Sequence, residues 1–185
     1  MEDLPRCWWC GDDPLYVDYH DREWGRPIHD ERSLFELLCL EGFQAGLAWI
    51  TILRKREGFR AAFEGFDLAT VAGYDDPDIE RLLADAGIVR HRGKIIATIS
   101  NAQAVLAMHA DGTSLSEIVW SFAPSPRKRP LASRDEIPAS TPDSEALAKA
   151  LKKRGMRFVG PTTVYAFMQS AGVVDDHLAD CFLTG

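Results

Sequence analysis

The chain lacks the features of membrane-spanning and disulfide-stabilised secreted proteins. It has no apolar run near the ~20 residues that a membrane-spanning helix requires, and no basic-then-apolar export signal at its start. Its four cysteines do not form the regular framework of a small secreted domain. The alternation of apolar and polar residues that is typical of strands is nearly absent. We therefore expect a cytoplasmic protein whose fold is not built on a sheet.

Helical periodicity is what the sequence has in abundance. The 185 residues, 46% of them hydrophobic, are enough for one substantial core. We predict an all-α fold with a single domain over residues 1–185, either undivided or arranged as two helical lobes. Asp30 is the expected N-cap of a helix through Glu41. Further helices are predicted at 48–63, 76–84, 92–108, 114–122, 142–154 and 161–171.

Two segments in the second half of the chain interrupt this pattern. Residues 123–140 contain Pro124, Pro126, Pro130 and Pro138, so they cannot form a continuous helix and are predicted to be a Pro-rich loop. The last two helices enclose a tight hairpin. Such a corner can present backbone N–H groups and a helix N-terminus to a phosphate, although an ordinary helix–helix corner is also compatible with the pattern. The candidate DNA-binding residues there are Lys152, Lys153, Arg154, Arg157 and Gly160.

The charge distribution bears on whether the partner is a nucleic acid. A net charge of −7 argues against one, because phosphate binding usually leaves a basic footprint. However, 13 of the 21 lysines and arginines fall in four short clusters, and the local field matters more than the sum. These clusters lie at residues 54–56, 90–94, 127–129 and 152–157.

Candidate metal ligands occur at both ends of the chain. Cys7 and His20 lie near the start, and His177 and Cys181 are four residues apart near the end. On a helical turn the last two would point the same way, so the four could form a closed Cys2His2 site for one structural Zn²⁺ per chain. Cys7 and Cys10 also form a C-x-x-C pair that could supply two sulfurs or act in redox exchange. Spacing alone does not decide between these groupings.

One carboxylate stands out from the predicted helices. Glu41 follows Leu37, Leu38 and Leu40 at the end of an apolar stripe. A buried carboxylate is costly unless it is paired or functional, so Glu41 is a candidate functional residue.

Several short motifs are distributed along the chain. They are RC at 6–7, DPLY at 13–16, YHD at 19–21, EWG at 23–25, LEGFQAGLAW at 40–49, IVRHRGKI at 88–95, LKKRG at 151–155, FVG at 158–160 and DH at 176–177. Together with Cys181 they run from residue 6 to residue 181 and resemble the motifs of the 3-methyladenine DNA glycosylase I (Tag) family of helix-hairpin-helix enzymes, so the resemblance covers nearly the whole chain.

The resemblance implies a DNA repair enzyme that hydrolyses the N-glycosidic bond of 3-methyladenine in alkylated double-stranded DNA. Free 3-methyladenine would be one product and an abasic site the other. The family's base pocket maps to Glu41, with Tyr19 beside it and Trp49 as an aromatic wall. The family's structural zinc maps to Cys7, His20, His177 and Cys181. A monomer is expected, because an enzyme scanning a duplex needs no partner.

Two further positions refine this expectation. Lyase members of the superfamily carry a nucleophilic lysine in the hairpin region, where this chain has Thr162, so strand cleavage is not expected. The position of the superfamily's aspartate falls near Asp175, where the family more typically has asparagine. We therefore treat Asp175, with Glu41, as a candidate catalytic residue.

Two other functions remain compatible with these motifs. One is a noncatalytic, zinc-stapled helical module that binds DNA through the same hairpin and basic clusters. The other is a C-x-x-C redox protein, although Cys7 and Cys10 lack the βαβ context expected for one.

Overall fold

The computed structural model describes residues 4–184, and the predicted all-α fold is confirmed over that range. The one β-type pairing within it is an isolated bridge between Leu131 and Leu178. None of the helices in this range is both long and apolar enough to cross a membrane. Residues 4–184 contain nine α-helices: α1 (Pro14–Arg22), α2 (Glu31–Gln44), α3 (Trp49–Ala62), α4 (Leu68–Ala72), α5 (Asp76–Ala84), α6 (Arg92–Ala110), α7 (Leu115–Ser121), α8 (Pro142–Lys153) and α9 (Pro161–Ser170).

Helix α2 lies at the centre of the core. Asp30 is its N-cap, as predicted, and its carboxylate accepts a hydrogen bond from the Ser33 N–H at 2.9 Å. The second half of the helix, from Leu37 through Phe43, is buried on every side, and α3, α6, α7 and α9 all pack against α2. Glu41 therefore sits in the interior of the protein and not at its surface.

Helix α6 fixes two neighbouring segments through buried polar side chains. The Lys94 ammonium donates to the carbonyls of Phe43 at 2.9 Å and Ala45 at 2.7 Å, which satisfies the free C-terminal end of α2. Two turns further along α6, Asn101 pairs with both backbone groups of Arg157, in the connection between α8 and α9. The end of α2 and this connection are thus held by the same helix.

Most of the predicted helices are confirmed, with boundaries shifted by a few residues, and 123–140 contains only the short 3-10 turn Arg134–Glu136. Two helices, α1 and α4, were not predicted. Asp13 before Pro14 is a recognisable start signal for α1, and the Asp13 carboxylate accepts from the Leu15 and Tyr16 N–H groups.

The expectation that His177 and Cys181 share a helical turn is wrong. His177 lies outside any helix, Leu178 pairs with Leu131, and the chain turns only after that. The Ala179 N–H donates to the Leu131 carbonyl of the Pro-rich loop at 2.8 Å, and the Cys181 N–H donates to the Leu178 carbonyl in a tight turn, not to His177 as it would in an α-helix.

The end of α9 makes a close backbone approach that only glycine allows. A Cβ at Gly172 would lie 2.3 Å from the carbonyl carbon of Arg26, and Gly172 has a φ of +67°. Gly112 also has a positive φ, +78°, but a Cβ there would meet nothing within 4 Å. Comparing alanine substitutions at these two glycines therefore separates the cost of backbone strain from the cost of a steric clash.

We predict that Gly172→Ala destabilises the protein more than Gly112→Ala. Both variants place alanine in the left-handed region, at a cost of about 1–2 kcal/mol. Only Gly172→Ala adds an overpacking cost of about 1–3 kcal/mol. Chemical denaturation of the two variants measures the difference, and equal losses of unfolding free energy would contradict the close approach.

Candidate active site

A buried carboxyl group joins the two central helices. Glu41, on the last turns of α2, is 3% exposed, and its Oε1 accepts a hydrogen bond from the Ser170 hydroxyl at 2.9 Å. Ser170 is the last residue of α9. Burial raises the pKa of Glu41 to about 8, and the hydrogen bond from Ser170 only partly opposes that shift. With the pocket empty, the carboxyl group is therefore largely neutral at pH 7.

Two aromatic side chains stand beside Glu41 with polar atoms that have no partner. Tyr19, from α1, and Trp49, the first residue of α3, have ring centroids 5.6 Å apart at a tilt of 47°. The Tyr19 hydroxyl and the Trp49 Nε1–H are buried, yet neither makes a hydrogen bond within the part of the chain that the structure describes. Buried polar atoms are normally paired, so these two are available to a bound ligand or to water.

Glu41, Tyr19 and Trp49 line a single cavity of about 250 Å³. This volume is just below the ~300–1,000 Å³ of pockets for drug-sized ligands, so it suits a single base better than a whole nucleotide. The walls combine flat aromatic faces with a few polar groups. The complete lining is Trp8, Trp9, Tyr16, Tyr19, Trp24, Glu41, Gln44, Trp49, Ile137, Ala166, Gln169 and Ser170.

The hairpin lies at the opposite end of α9 from Ser170. Lys152 and Lys153 form the last turn of α8, Arg154 caps it, and Gly160 is the N-cap of α9. Lys152, Lys153, Arg154 and Arg157 are exposed, and none of them forms an ion pair with any residue between 4 and 184. These cations are thus free to meet phosphates.

The other basic clusters are largely neutralised within the fold. Arg56 pairs with Glu23 through both guanidinium nitrogens, Arg127 pairs with Asp176, and Lys94 is buried against backbone carbonyls. The hairpin therefore differs from these clusters because its basic side chains form no ion pairs within residues 4–184, and not because of how many basic residues it has.

Residue 158 brings the hairpin into contact with the helix that carries Glu41. Phe158 has a φ of +56°, which is unusual for a residue with a side chain, and it is 38% exposed. A Cβ at Gly42, the residue after Glu41, would lie 3.4 Å from the Phe158 Cβ. Close contact between α2 and the hairpin thus depends on a small residue at position 42.

Three of the four predicted metal ligands meet at the junction of the two chain ends. Single ligand atoms of Cys7, His20 and Cys181, all buried, lie within 4.8 Å of one another. We call these three residues the Cys/His cluster. Cys10 is not part of it, and its Sγ instead lies 3.2 Å from the Cys7 carbonyl oxygen. The His20 Nδ1 pairs with Asp21 at 2.8 Å, which leaves Nε2 facing the sulfurs.

His177 lies beside the Cys/His cluster. Its ring centroid is 5.4 Å from that of His20, and its Nε2 is buried without a partner. The His177 Nδ1 pairs with Asp175 at 2.8 Å, so both histidines have a carboxylate on Nδ1. The His20 Nε2 accepts from the Cys7 N–H at 3.4 Å and lies 3.5 Å from the Cys181 Sγ, whereas the His177 Nε2 has no partner among residues 4–184. Gly25 makes room for the imidazole, because a Cβ there would lie 2.7 Å from the His177 Cε1. The three clustered donors are of the types that a tetrahedral Zn²⁺ takes, and His177 lies next to them but outside their 4.8 Å grouping.

Comparison with known proteins gives a consistent result. The family model described as methyladenine glycosylase matches residues 9–184. The chain belongs to this family. It is 53% identical over 179 residues to DNA-3-methyladenine glycosylase 1 of Escherichia coli (strain K12), which covers 96% of each chain.

Solved structures of methyladenine glycosylases have the same fold. A crystal structure of 3-methyladenine DNA glycosylase I superposes with a TM-score of 0.95, at 56% identity, over 98% of this chain and 100% of that one. A structure of the Staphylococcus aureus enzyme, solved for its recognition of 3-methyladenine, gives a TM-score of 0.90 at 38% identity and covers 97% and 96% of the two chains.

The residues predicted from the sequence of this methyladenine glycosylase do not all lie at the same site. Glu41, Tyr19 and Trp49 converge on the cavity, whereas Asp175 does not line it and instead accepts hydrogen bonds from the His177 ring and backbone N–H.

Sequence reasoning missed much of the cavity lining. The density of tryptophan and tyrosine in the first 24 residues was the available signal. The missed residues are Trp8, Trp9, Tyr16, Trp24, Gln44, Ile137, Ala166, Gln169 and Ser170.

We predict that Glu41→Gln stabilises the protein at alkaline pH. Folding raises the pKa of Glu41 from 4.5 to about 8, so the stability associated with its neutral form is complete below 4.5 and is lost as the pH rises through 8. The amide removes this loss. At about pH 9 the melting temperature of Glu41→Gln should exceed that of the wild type by at least ~2 °C.

The control for this comparison is Glu57→Gln, which changes a carboxylate that is 81% exposed. It should leave the pH dependence of melting unchanged. A Glu41→Gln variant whose melting temperature relative to the wild type is the same at about pH 5 and pH 9 would contradict the raised pKa.

Proposed function

We propose that this protein excises 3-methyladenine from alkylated DNA by hydrolysing the N-glycosidic bond, as a base-excision repair enzyme. The observation that carries the proposal is a buried carboxyl group in an aromatic cavity of base size. The cavity lies at one end of α9 and a cationic hairpin at the other. The names of the relatives support the same activity.

The chemistry of the lesion explains the residues of the pocket. Methylation at N3 gives a cationic base whose glycosidic bond is already weak, so the enzyme must select the base and stabilise positive charge on the sugar. Glu41 accepts a hydrogen bond from the exocyclic amine and, once ionised, favours the cation. Stacking on Trp49 and Tyr19 adds roughly 1–3 kcal/mol per base. A cationic ring over an indole adds about 0.5–2 kcal/mol, which discriminates against neutral adenine.

DNA binding is assigned to the hairpin. Lys152, Lys153, Arg154 and Arg157 neutralise phosphates, and backbone N–H groups at Gly160 face the same anions. Extruding the damaged base costs a few kcal/mol, which these contacts and the pocket together offset. This arrangement corresponds to the helix-hairpin-helix mode of binding to double-stranded DNA.

The enzyme is proposed to be monofunctional. Helix α9 has the sequence PTTVYAFMQS and contains no lysine, with Thr162 at the position where a lyase would need an amine. The reaction therefore ends with the free base and an abasic site, and the strand stays intact.

Asp175 is proposed to assist as an anion. Its pKa is lowered chiefly by the hydrogen bond from His177, so the carboxylate is ionised at neutral pH, and its side chain is 64% exposed. An exposed anion outside the pocket can act on the approaching water or on the cationic sugar, rather than on the base.

A structural Zn²⁺ is proposed to be held by Cys7, His20, His177 and Cys181. The ion would cross-link the two chain ends and would take no part in the reaction, because four protein ligands leave no open coordination position. Two observations support it: the unpartnered Nε2 of His177 and the carboxylates, Asp21 and Asp175, that orient the two imidazoles.

The activity is tested with methylated duplex DNA in single-turnover reactions. The wild type should release free 3-methyladenine without cutting the strand, and Glu41→Gln should be slower by on the order of 10- to 100-fold. For the wild type, kcat/KM should rise as Glu41 ionises and level off above about pH 8, and this rise should be absent in Glu41→Gln.

Three other outcomes of this experiment are informative. No released base at high enzyme concentration would reject the activity and leave a noncatalytic DNA-binding module. Cut strands would reject monofunctional chemistry. Unchanged excision by Asp175→Asn would remove the assisting role of Asp175.

The metal is tested by zinc analysis of the purified protein with two cysteine variants. Both cysteines are buried, but only Cys181 belongs to the Cys/His cluster. We expect one zinc per chain in the wild type and in Cys10→Ser, and loss of zinc with a lower melting temperature in Cys181→Ser. Zinc loss in Cys10→Ser with full zinc in Cys181→Ser would instead indicate the C-x-x-C pair.

A further inference from the structure

The Pro-rich loop, 123–140, is fastened to the C-terminal segment. The Arg127 guanidinium binds the fully buried carboxylate of Asp176 at 2.5 Å, and that carboxylate also accepts from Gln169 at 2.8 Å. Leu131 is 6% exposed, and its carbonyl accepts from the Ala179 N–H at 2.8 Å. Because the Asp176 carboxylate and Leu131 are both buried, the loop has a defined path.

The end of the loop is held by contacts within the loop itself. Arg129 and Glu136 form a two-point ion pair at 2.9 and 3.1 Å, and Glu136 also accepts from the Ala132 N–H at 3.1 Å. Ile137 follows, with φ −82° and ψ 113°, the extended conformation that a residue before proline is restricted to. Pro138 thus limits the directions in which the Ile137 side chain can point.

Ile137 reaches the base cavity. It lines this cavity and packs against the apolar cluster that contains Tyr19 and Trp24. Apart from Ala166, the other residues that line the cavity are aromatic or polar. Ile137 is therefore the one branched aliphatic side chain that faces the cavity within residues 4–184.

We propose that Ile137, which the Pro-rich loop positions at the cavity, is a specificity-determining residue that limits the size of the base that the cavity accepts. This proposal rests on the proposed function and adds to it a role for a loop that the mechanism does not otherwise use. The aromatic walls and Glu41 recognise a flat cation, and Ile137 excludes larger versions of it.

Aromatic and branched aliphatic side chains differ in how well they tolerate a larger base. Stacking on an aromatic face tolerates added substituents, because every base has a flat face to offer. A branched side chain held by a fixed backbone cannot move aside without strain. One additional methylene in a tight apolar pocket typically changes selectivity by 10- to 200-fold.

The test measures binding of free bases and excision with the same variants. The fluorescence of the pocket tryptophans reports binding of 3-methyladenine, of 3-ethyladenine and of 3-methyladenine with a further methyl group on the exocyclic nitrogen. For Ile137→Ala, we expect the preference of the wild type for 3-methyladenine over at least one of the larger bases to fall by on the order of tenfold. Excision of the corresponding alkylated bases from DNA should shift in the same direction.

Ile50→Ala is the matched control. Ile50 is also half-buried against the same cluster but does not line the cavity, so its truncation should leave the selectivity unchanged. Ile137→Val, which removes a single carbon, should give an intermediate shift and covers the case in which Ile137→Ala does not fold.

The outcomes separate the two proposals. A wild type that releases no 3-methyladenine from DNA overturns the proposed function. A wild type that discriminates among the bases, with Ile137→Ala and Ile137→Val retaining the same selectivity, overturns only the role of Ile137. An equal shift in Ile50→Ala overturns it as well, because a general loosening of the cluster would then be the cause.

Discussion

The hydrogen bond between Glu41 and Ser170 is the contact on which the candidate site depends. It places a carboxyl group in the interior at the junction of α2 and α9, where burial raises its pKa to about 8. Removing a carboxylate from water is costly unless it is compensated. With the cavity empty, the compensation is protonation, and with a cationic base bound it would be the positive charge of the ligand. The site is therefore organised for a ligand that carries its own charge.

Helix α9 connects this group to the hairpin, which is the proposed DNA-binding surface. Its N-cap, Gly160, belongs to the hairpin, and its last residue is Ser170, so about 15 Å of helix separates the two. The hairpin is further held by Asn101 of α6 and packs through Phe158 against Gly42. Because of these contacts, a DNA strand bound by the hairpin would have a fixed position relative to the cavity.

The aromatic half of the cavity depends on the chain ends. Trp9, Tyr16, Tyr19 and Trp24 all lie in the first 24 residues, around His20 of the Cys/His cluster. The Pro-rich loop is bound to the C-terminal segment and adds Ile137 to the lining of the cavity. Cross-linking the two ends of the chain would thus fix the walls of the pocket without taking part in the reaction.

The sequence by itself determined most of the helices, because caps, prolines and periodicity act over a few residues, as Asp30, Thr141 and Pro161 show. It also pointed to Glu41, since a carboxylate in an apolar stripe is conspicuous. The resemblance supplied Tyr19 and Trp49. Only the tertiary structure decided that Ser170 and Ile137 share their cavity, that Asp175 pairs with His177, and that the hairpin cations stay unpaired. These contacts join residues far apart in the chain, and no local pattern encodes which distant side chains will meet.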